Sequence, residues 1–494
     1  MTESVNIKWL NCTQSLIEAE RSTIMELHEQ FSFQVQGYQF MPAYKAGRWD
    51  GWIRPVRLDG KFPVGLVPSV IDHLRSTERQ VSMSKEFKEF ATEYESAFDW
   101  LNLPYVPYDH QTEAVKIGLQ KKRAVILSPT SSGKSLNVYA LSRTFLKEGM
   151  RTLVVVNSIM LLNQLKSDFH EYAEIEAWDV DDNVHLLASG ASKKEKKKIY
   201  IATWQTLQNI DPIWFSQWDA VIVDECHGAK AAVLGGIMES CVNAFFRIGL
   251  SGSLDGTTLM ETSLVGHFGP IRKVITTKQL MDEGKVSKVM IKTVALKYGE
   301  KYRRFMTFTN AEGKKKKIVY ADEVKLIISN PERNKFIRKL AASAVGNTLV
   351  LSNFVAEHIE PLYKTMKEEY PEREIFFISK EMSPEERERI RKLTETTEGV
   401  VIFASYAIFS TGISIKNLHN VILASPTKSV IRIVQTIGRV LRLHESKVVA
   451  TVFDIADDMR CGRASPNFAL THFMERIKIY QKEQFQMKMM EMAI

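Results

Sequence analysis

The sequence lacks a hydrophobic run long enough to cross a membrane, although 45% of its 494 residues are apolar. A membrane-spanning helix needs about 20 consecutive apolar residues. The first residues, MTESVNIKWLNC, also lack the basic and apolar regions of a secretion signal. We therefore expect a cytoplasmic protein with no membrane partner. Its apolar content is sufficient for packed cores.

Cysteine is scarce, and the chain shows no short-period repeat or long low-complexity segment. The four cysteines are Cys12, Cys226, Cys241 and Cys461. None of them forms a C-x-x-C pair, and no histidine-rich segment lies nearby, so zinc fingers and disulfide scaffolds are poorly supported. Free thiols are typical of a reducing compartment.

The net charge of +8 is concentrated in one stretch. Residues 285–317 contain eleven Lys or Arg, opposed only by Glu300 and Glu312. Such a cluster is either a solvated charge run or a surface that contacts phosphate. The pattern of residues 302–320 predicts a basic hairpin that turns at residues 310–313. We hypothesise that it grips nucleic acid through Lys314, Lys315, Lys316 and Lys317.

Two series of Val- and Ile-rich strands alternate with helical segments, whereas the N-terminal part lacks this rhythm. Alternation of this kind predicts parallel sheets that are buried on both faces. We expect an α/β protein with a small N-terminal α+β domain that is a candidate for DNA binding, then two sheet lobes and a C-terminal helix packing on the second lobe. The predicted segments are 1–97, 98–285, 286–465 with a basic insertion at 297–320, and 466–494.

The segment ILSPTSSGKSL (126–136) is nearly a phosphate-binding loop of the form G-x-x-x-x-G-K-[ST], with Ser128 in place of the first glycine. A predicted strand precedes it and a predicted helix follows, which is the context that the motif requires. We expect the loop to bind ATP, with Lys134 at the β and γ phosphates and Ser135 as a ligand of Mg²⁺. The predicted nucleotide-binding residues here are Pro129, Thr130, Ser131, Ser132, Gly133, Lys134 and Ser135.

A second motif, AVIVDECH (220–227), favours a real nucleotide site over a chance match. Asp224 follows an apolar strand, where a carboxylate can bind Mg²⁺. Glu225 beside it is placed to orient or deprotonate the attacking water. Together the two motifs predict ATP hydrolysis.

A third candidate segment is VIRIVQTIGRVLRLH (430–444), which reads as a helix. Gln435, Arg439 and Arg442 have the spacing of one helix face. They could be ordinary solvent contacts. Phosphoryl transfer, however, favours cationic groups near the γ-phosphate, so we expect these residues to complete the catalytic site from the second lobe and to link hydrolysis to a motor stroke.

In this order the motifs resemble those of superfamily 2 helicases of the DExH kind. YDHQTEAV (108–115) is similar to their adenine-sensing segment, GLSGSL (249–254) to motif III, ASYAIFSTGISI (404–415) to motif V and QTIGRVLR (435–442) to motif VI. The likeness is greatest to phage UvsW-type helicases and runs nearly end to end. Two departures are SGS in place of SAT, and GISI without the acidic residue that is common in motif V.

The resemblance implies two RecA-like lobes and adds residues to the expected sites. It implies that Tyr108, Gln111 and Gly412 bind the nucleotide, and that His227 couples ATP hydrolysis to motif III. It also implies DNA contacts along one strand's backbone. The expected contacts in the lobes are Thr203, Trp204, Gln205, Ser352, Asn353 and Ser405.

The N-terminal domain carries a further candidate DNA surface in KAGRWDGWIRPVR (45–57). Basic residues interleaved with aromatic ones suit phosphate contacts and base stacking. The alternative is that Trp49 and Trp52 belong to the core. The expected phosphate contacts are Arg48, Arg54 and Arg57.

We predict a DNA-stimulated ATPase, a monomer that unwinds or branch-migrates forked and branched DNA in replication, recombination and repair. ATP and Mg²⁺ are its expected cofactors. DNA is its expected partner, with RNA–DNA hybrids as a second candidate. The alternatives are an RNA helicase, a strand-annealing chaperone that uses ATP only as a switch, and a translocase subunit of a restriction complex.

Overall fold

The computed structural model describes residues 3–91, 98–176, 178–188, 196–228, 231–254, 256–303, 307–309, 315–412, 415–427, 429–460 and 465–494. The chain forms two compact units, Met1–Ile275 and Thr276–Ile494. Within the described residues, no helix combines the length and the apolar character that a membrane crossing requires.

The first unit begins with a small mixed α+β domain. Its strands are β1 (Ser4–Trp9), β2 (Gln14–Glu18), β3 (Phe33–Gln34), β4 (Trp52–Ile53), β5 (Lys61–Pro63) and β6 (Gln80–Met83). Its helices are α1 (Arg21–Gln30), α2 (Pro42–Lys45), α3 (Val67–Ser76) and α4 (Lys85–Ala91). Four strands form a sheet in the order β5-β2-β1-β6, with β1 antiparallel to β2 and parallel to β6. Alternate residues of β1, Val5 and Ile7, are fully buried in the domain core.

The larger part of the first unit is a seven-stranded parallel sheet flanked by helices. Its strands are β7 (Arg123–Leu127), β8 (Thr152–Val156), β9 (Val184–Leu187), β10 (Ile199–Thr203), β11 (Ala220–Val223), β12 (Phe246–Ser251) and β13 (Ile271–Lys273). Its helices are α5 (Asp109–Lys121), α6 (Lys134–Lys147), α7 (Ile159–Ala173), α8 (Val180–Asn183), α9 (Trp204–Leu207), α10 (Ala231–Ser240) and α11 (Thr258–Phe268).

The order of this sheet, β13-β7-β12-β11-β8-β10-β9, brings the ends of β7, β11 and β12 together. Each of these strands is followed by one of the candidate motifs. Because the carboxyl ends of parallel strands lie at one edge of a sheet, ligands in α/β folds bind there. The continuous burial of β11 explains its unbroken apolar sequence.

The small domain is anchored to the first sheet lobe by backbone and side-chain contacts. The Cys12 N–H donates to the carbonyl of Val242 at 3.0 Å, and the guanidinium of buried Arg123 donates to the Cys12 carbonyl. Gly65 touches the lobe so closely that a Cβ there would lie 1.9 Å from the Val265 carbonyl oxygen. The two parts therefore form one compact unit.

The second unit contains another seven-stranded parallel sheet, in the order β18-β19-β17-β20-β21-β14-β22. Its strands, with a separate hairpin of β15 and β16, are β14 (Lys288–Lys297), β15 (Thr307–Thr309), β16 (Lys315–Lys317), β17 (Thr348–Ser352), β18 (Ile375–Ile378), β19 (Val401–Ser405), β20 (Asn420–Leu423), β21 (Val449–Asp458) and β22 (Gln486–Ala493). Its helices are α12 (Thr277–Asp282), α13 (Glu300–Arg303), α14 (Tyr320–Ile328), α15 (Pro331–Ser343), α16 (Glu360–Glu369), α17 (Pro384–Thr396), α18 (Tyr406–Gly412), α19 (Val430–Val440) and α20 (Phe468–Lys482).

Buried ion pairs fix the second sheet to its helices. Arg333 of α15 donates to both carboxylate oxygens of Asp457, at 2.7 and 3.2 Å, and Arg476 of α20 does the same to Asp454, at 2.8 and 2.7 Å. All four side chains are at most 4% exposed. The two helices are thereby locked onto β21.

The fold confirms the prediction of two parallel-sheet lobes behind a small α+β domain. The predicted basic hairpin also forms, because β15 pairs antiparallel with β16 and sets Thr307 opposite Lys317. The predicted turn and Lys314 lie outside the described residues. The helix α12, expected in the first lobe, groups instead with the second unit.

The expected C-terminal helix is wrong for the methionine-rich end. The helix α20 stops at Lys482, and β22 then pairs in parallel with β14, with Met490 beside Val294. Methionine favours helices as an isolated residue. Here the unpaired N–H and C=O groups along the edge of β14 supply ladder partners that outweigh that preference.

Candidate active site

The loop 128–133 joins β7 to α6 in a conformation that a glycine makes possible. Gly133 has φ +82°, in the left-handed region where side chains are strained. A Cβ at Gly133 would also lie 2.1 Å from Nε2 of Gln111. The second glycine of the motif is therefore required on both conformational and steric grounds.

Ser128, which replaces the motif's first glycine, is completely buried. Its hydroxyl donates to the hydroxyl of Ser132 at 2.5 Å, and its N–H donates to the Ser251 carbonyl at 2.9 Å. The Ser128 side chain therefore links two residues of the loop. The serine that departs from the motif stabilises the loop from within.

Gln111 on α5 forms hydrogen bonds to the phosphate-binding loop. Its Nε2 donates to the carbonyl oxygens of Ser132 at 3.2 Å and Gly133 at 3.4 Å, while its Oε1 accepts from the Tyr108 N–H at 2.8 Å. Tyr108 is 45% exposed and is the N-cap residue of α5. The predicted adenine-sensing pair is therefore coupled to the phosphate loop by direct hydrogen bonds.

Lys134 and Glu225 meet beneath the loop. The ammonium of Lys134 lies 3.3 Å from Oε1 of Glu225 and donates to the carbonyls of Ser128 at 3.2 Å and Pro129 at 3.3 Å. The other carboxylate oxygen of Glu225 accepts from the Gly252 N–H at 3.3 Å. The sequence predicted these two residues at one site, and the fold brings them together.

The two acidic residues of the DECH motif have opposite electrostatic surroundings. Burial alone would raise the pKa of Glu225, but the Lys134 ammonium, then His227 and the Gly252 N–H, hold it below its usual value. Burial and the negative charge of Glu225 raise the pKa of Asp224 to about 6. Glu225 is therefore ionised at neutral pH and able to accept a proton.

His227 connects Glu225 to motif III. Its Nδ1 lies 2.7 Å from the Ser251 hydroxyl and 3.3 Å from Oε2 of Glu225. The Ser251 hydroxyl itself donates to the Ser253 carbonyl at 2.7 Å, so Nδ1–H of His227 is the donor to Ser251. The predicted coupling of His227 to motif III thus has a direct hydrogen-bonded route.

The loop fits a triphosphate by the chemistry of its buried hydroxyls. Thr130 Oγ1 and Ser253 Oγ are buried and have no hydrogen-bond partner within the described residues. Gly252 sits between them and Lys134, since a Cβ there would lie 3.2 Å from Thr130 Oγ1 and 3.6 Å from the ammonium. Buried polar groups require partners, and phosphate oxygens would supply them.

Ser135, the expected Mg²⁺ ligand, has a neighbour that sequence reasoning missed. Its hydroxyl lies 2.9 Å from the hydroxyl of Tyr172 on α7. Burial raises the pKa of Tyr172 to about 12, so this hydroxyl stays protonated. Ser135 and Asp224 offer the oxygen ligands that Mg²⁺ prefers. Among the described residues, no group of three or more His, Cys, Asp or Glu side chains suits a metal ion.

In the second unit, the predicted arginine stripe is only partly helical. Gln435 and Arg439 lie one turn apart on α19, but the helix ends at Val440 and Arg442 lies beyond it. All three side chains are half-buried. Gly412, expected at the nucleotide, is the last residue of α18.

The expected DNA contacts of the lobes divide into exposed and buried groups. Gln205 and Asn353 are exposed, and Asn353 accepts a 2.7 Å hydrogen bond from Arg432, which the sequence did not single out. Trp204 is half-buried and packs on the lobe core. The remaining three side chains are buried and bond within their own lobe: Thr203, Ser352 and Ser405.

Two of these hydroxyls cap the helix that follows, and the third contacts a buried histidine. Thr203 accepts from the Thr206 N–H at 3.3 Å, Ser405 accepts from the Ile408 N–H at 3.3 Å, and Ser352 lies 2.9 Å from Nδ1 of buried His358. Because small hydroxyl residues commonly cap the segment after a strand, the pattern alone did not separate the two roles. Their side chains are buried in this structure, and their expected DNA contacts stay predictions.

The candidate surface of the N-terminal domain is exposed but already paired with acidic groups. Arg54 makes a bidentate ion pair with Asp50 at 3.1 and 2.6 Å, and Arg57 pairs with Asp59 at 2.9 Å. Arg48 is exposed. Trp52 is 38% exposed. Lys315, Lys316 and Lys317 form β16 of the hairpin.

Comparison with known proteins agrees with this geometry. Residues 4–84 match the profile "DNA helicase UvsW, N-terminal", residues 104–255 match "Type III restriction enzyme, res subunit", and residues 332–444 match "Helicase conserved C-terminal domain". The chain is 35% identical to the ATP-dependent DNA helicase uvsW of Enterobacteria phage T4, over 95% of each sequence. The chain belongs to the UvsW family of DNA helicases.

Solved structures support the same assignment. The crystal structure of T4 UvsW covers 99% of this chain and 99% of its own, at 31% identity and a TM-score of 0.50. A putative HsdR subunit of a type I restriction enzyme from Vibrio vulnificus shares the fold, with a TM-score of 0.57 at 17% identity over 80% of this chain and 70% of its own. The predicted superfamily 2 helicase of the UvsW type is confirmed, and ATP is the nucleotide of a UvsW-family enzyme.

Proposed function

We propose that this UvsW-family helicase hydrolyses ATP to unwind or branch-migrate forked and branched DNA. The observation that carries the proposal is the hydrogen-bonded set that joins Lys134 to Glu225, His227 and Ser251. It links the phosphate-binding loop to the DECH motif at the end of β11 and to motif III. Such a link suits an enzyme in which hydrolysis drives movement along a strand.

The residues of the first lobe divide the chemistry between them. Lys134 and the loop amides bind the phosphates. Glu225, held ionised by its neighbours, accepts a proton from the attacking water. Ser135 and Asp224 would hold Mg²⁺, which when bound neutralises charge that develops on the phosphates.

The second lobe would supply the remaining cationic groups. We propose that Gln435, Arg439 and Arg442 act on the γ-phosphate in the transition state, with Gly412 at the nucleotide. An arginine that acts in this way is worth about 10³–10⁵ in kcat in related phosphoryl transfers. Arg439→Ala should therefore reduce kcat far more than it raises the KM for ATP.

The DNA interface that we propose uses residues of both lobes and the basic hairpin. Gln205 and Trp204 serve the first lobe, Asn353 with Arg432 serves the second, and the basic hairpin grips the duplex. Among the residues that the structure describes, Arg54 and Arg57 of the N-terminal domain pair with acidic neighbours, whereas Arg48 has no such ion pair. We therefore expect Arg48 to contribute more to phosphate binding than the two paired arginines.

The hairpin is tested by the salt dependence of DNA binding. Replacing residues 314–317 with Ala should weaken binding and reduce the slope of log K against log salt by about 3, because each neutralised phosphate contributes roughly 0.7–0.9. The control replaces Arg389 and Arg391, which pair with Glu386 and Glu388. An unchanged slope in the hairpin variant would eliminate the hairpin as a DNA contact.

The main experiment measures ATPase activity with single-stranded, duplex, forked and four-way DNA, and with RNA. We expect the greatest stimulation from branched DNA. Stronger stimulation by RNA or by RNA–DNA hybrids would favour an RNA helicase. A molar mass in solution larger than one chain would contradict the expected monomer. Activity only with partner subunits would favour a restriction-type translocase.

A variant separates a motor from an ATP-switched annealing protein. Glu225→Gln should bind ATP but not hydrolyse it, so fork unwinding and branch migration should stop. If both continue in this variant, ATP acts only as a switch and the chaperone alternative is correct. We expect the enzyme to act in the host cytoplasm, where its DNA substrate lies.

A further inference from the structure

The backbone of Glu225 has an unusual conformation for a side-chain-bearing residue. Its φ is +49°, in the left-handed region that glycine adopts freely and other residues adopt at a cost. Strained residues of this kind persist only when their surroundings hold them, and they concentrate at functional sites. The question is therefore which groups hold the peptide of Glu225.

Two hydrogen bonds converge on the Glu225 carbonyl. The Gly228 N–H donates to it at 2.7 Å, and Nδ2 of Asn157 donates to it at 3.3 Å. A Cβ at Gly228 would lie 2.4 Å from Nδ2 of Asn157. The glycine thus leaves the room that the Asn157 amide occupies.

Asn157 contacts one residue of the nucleotide site and one residue of the expected DNA surface. It follows β8 directly and precedes Ser158, the N-cap of α7. Its own carbonyl accepts a 3.1 Å hydrogen bond from Nε2 of Gln205, which is exposed. One residue therefore contacts both the peptide of the proposed general base and an exposed side chain of the neighbouring strand end.

We propose that Asn157 is a positioning residue that holds the Glu225 peptide in its left-handed conformation, and that Gln205 alters this hold when it binds DNA. With the amide in place, the Glu225 carboxylate is aimed at Lys134, His227 and the Gly252 N–H. Without it, one of the two described hydrogen bonds to the Glu225 carbonyl is lost. The carboxylate then spends less time in the orientation that accepts a proton from water.

The first test compares Asn157→Ala with Ser158→Ala. Both remove one hydrogen-bonding side chain at the start of α7, but the Ser158 hydroxyl caps the Leu161 N–H and does not touch Glu225. Asn157→Ala should lower kcat for ATP about 3- to 10-fold, the value of one hydrogen bond, while the KM and the affinity for a fluorescent ATP analogue stay within about twofold. Ser158→Ala should leave kcat unchanged.

Two results would overturn the positioning role. One is a kcat for Asn157→Ala within about twofold of the unmodified enzyme. The other is an equal loss of kcat in Ser158→Ala at the same loss of melting temperature, because the effect would then be a general loosening of α7. The basal reaction without DNA suffices for this comparison.

The link to DNA rests on the proposed contact at Gln205, whereas the positioning of Glu225 does not. It is tested by the factor by which forked DNA stimulates ATPase in Asn157→Ala, Gln205→Ala and the double variant. A relay predicts that the double variant equals Asn157→Ala alone. Independent, multiplicative losses would overturn the relay. If forked DNA does not stimulate the ATPase of the unmodified enzyme, the proposed DNA function itself fails. The comparison of kcat values without DNA would still test the positioning role of Asn157.

Discussion

Restoring the glycine that the phosphate-binding motif calls for should damage this enzyme. Ser128→Gly would bring the loop into agreement with G-x-x-x-x-G-K-[ST], and by the motif alone it should improve nucleotide binding. In the structure, however, Ser128 is completely buried and its hydroxyl donates to Ser132 at 2.5 Å. The substitution removes a brace from the loop and adds backbone freedom.

The size of the effect follows from the groups that lose their partners. The Ser132 hydroxyl is left buried without its donor, which costs about 1–3 kcal/mol. A glycine in place of a side-chain-bearing residue adds about 0.5–1 kcal/mol of conformational entropy. If the total of roughly 1.5–4 kcal/mol falls on the ATP-binding conformation, affinity decreases by roughly 12- to 700-fold, since 1.4 kcal/mol corresponds to tenfold.

The assay is equilibrium binding of a fluorescent ATP analogue to Ser128→Gly, Ser128→Ala and the double variant Ser128→Ala/Ser132→Ala. The double variant should recover most of the loss, because removing both partners leaves no unsatisfied hydroxyl. Affinity in Ser128→Gly equal to or tighter than that of the unmodified enzyme would refute the reasoning. A double variant whose loss of affinity exceeds the summed losses of the two single variants would refute it as well.

Three further outcomes follow from other described contacts. Gly133→Ala should weaken ATP binding by at least tenfold, because φ +82° disfavours a side chain by about 1–2 kcal/mol and the Cβ would meet Gln111; titration calorimetry measures it. Arg333→Met should destabilise the second unit to urea by about 3–5 kcal/mol, since it leaves the Asp457 carboxylate buried and unpaired. Burial lowers the pKa of Lys447 to about 8, so the unfolded chain binds more protons than the folded one between pH 8 and about 10.4. The free energy of unfolding should therefore rise with pH across that window by up to about 3 kcal/mol. Urea titrations at several pH values should show this rise in the unmodified protein and not in Lys447→Met.

The nucleotide site was predictable because its signals are local. A strand, a loop with Gly133-Lys134, and a helix follow each other directly, and the DECH motif ends another apolar strand. Since parallel strands end at one edge of a sheet, the sequence also implied that Lys134 and Glu225 meet. No spacing rule revealed Asn157 or Tyr172, because their contacts with Glu225 and Ser135 depend on how α7 packs against the lobe.

Sequence reasoning left two roles open where they share one pattern. A hydroxyl after a strand suits a helix cap as well as a phosphate contact, and Thr203, Ser352 and Ser405 are buried in this structure, so their DNA contacts stay predictions. Residues 486–493, QMKMMEMA, alternate strictly only as far as Met489, and methionine favours helices as an isolated residue. They pair with the edge of β14, which lies far away in the sequence. Residue propensity contains no information about such a distant partner.

The late arrival of both neighbours of β14 has a consequence for synthesis on the ribosome. Its partners are β21 and β22, and the latter emerges roughly 190 residues after β14. At about 5–20 residues per second, β14 waits about 10–40 s with one ladder of amides and carbonyls uncovered. During that interval the nascent second lobe is open to pairing with foreign strands, so slow translation or a stall between residues 298 and 485 should favour aggregation or chaperone capture.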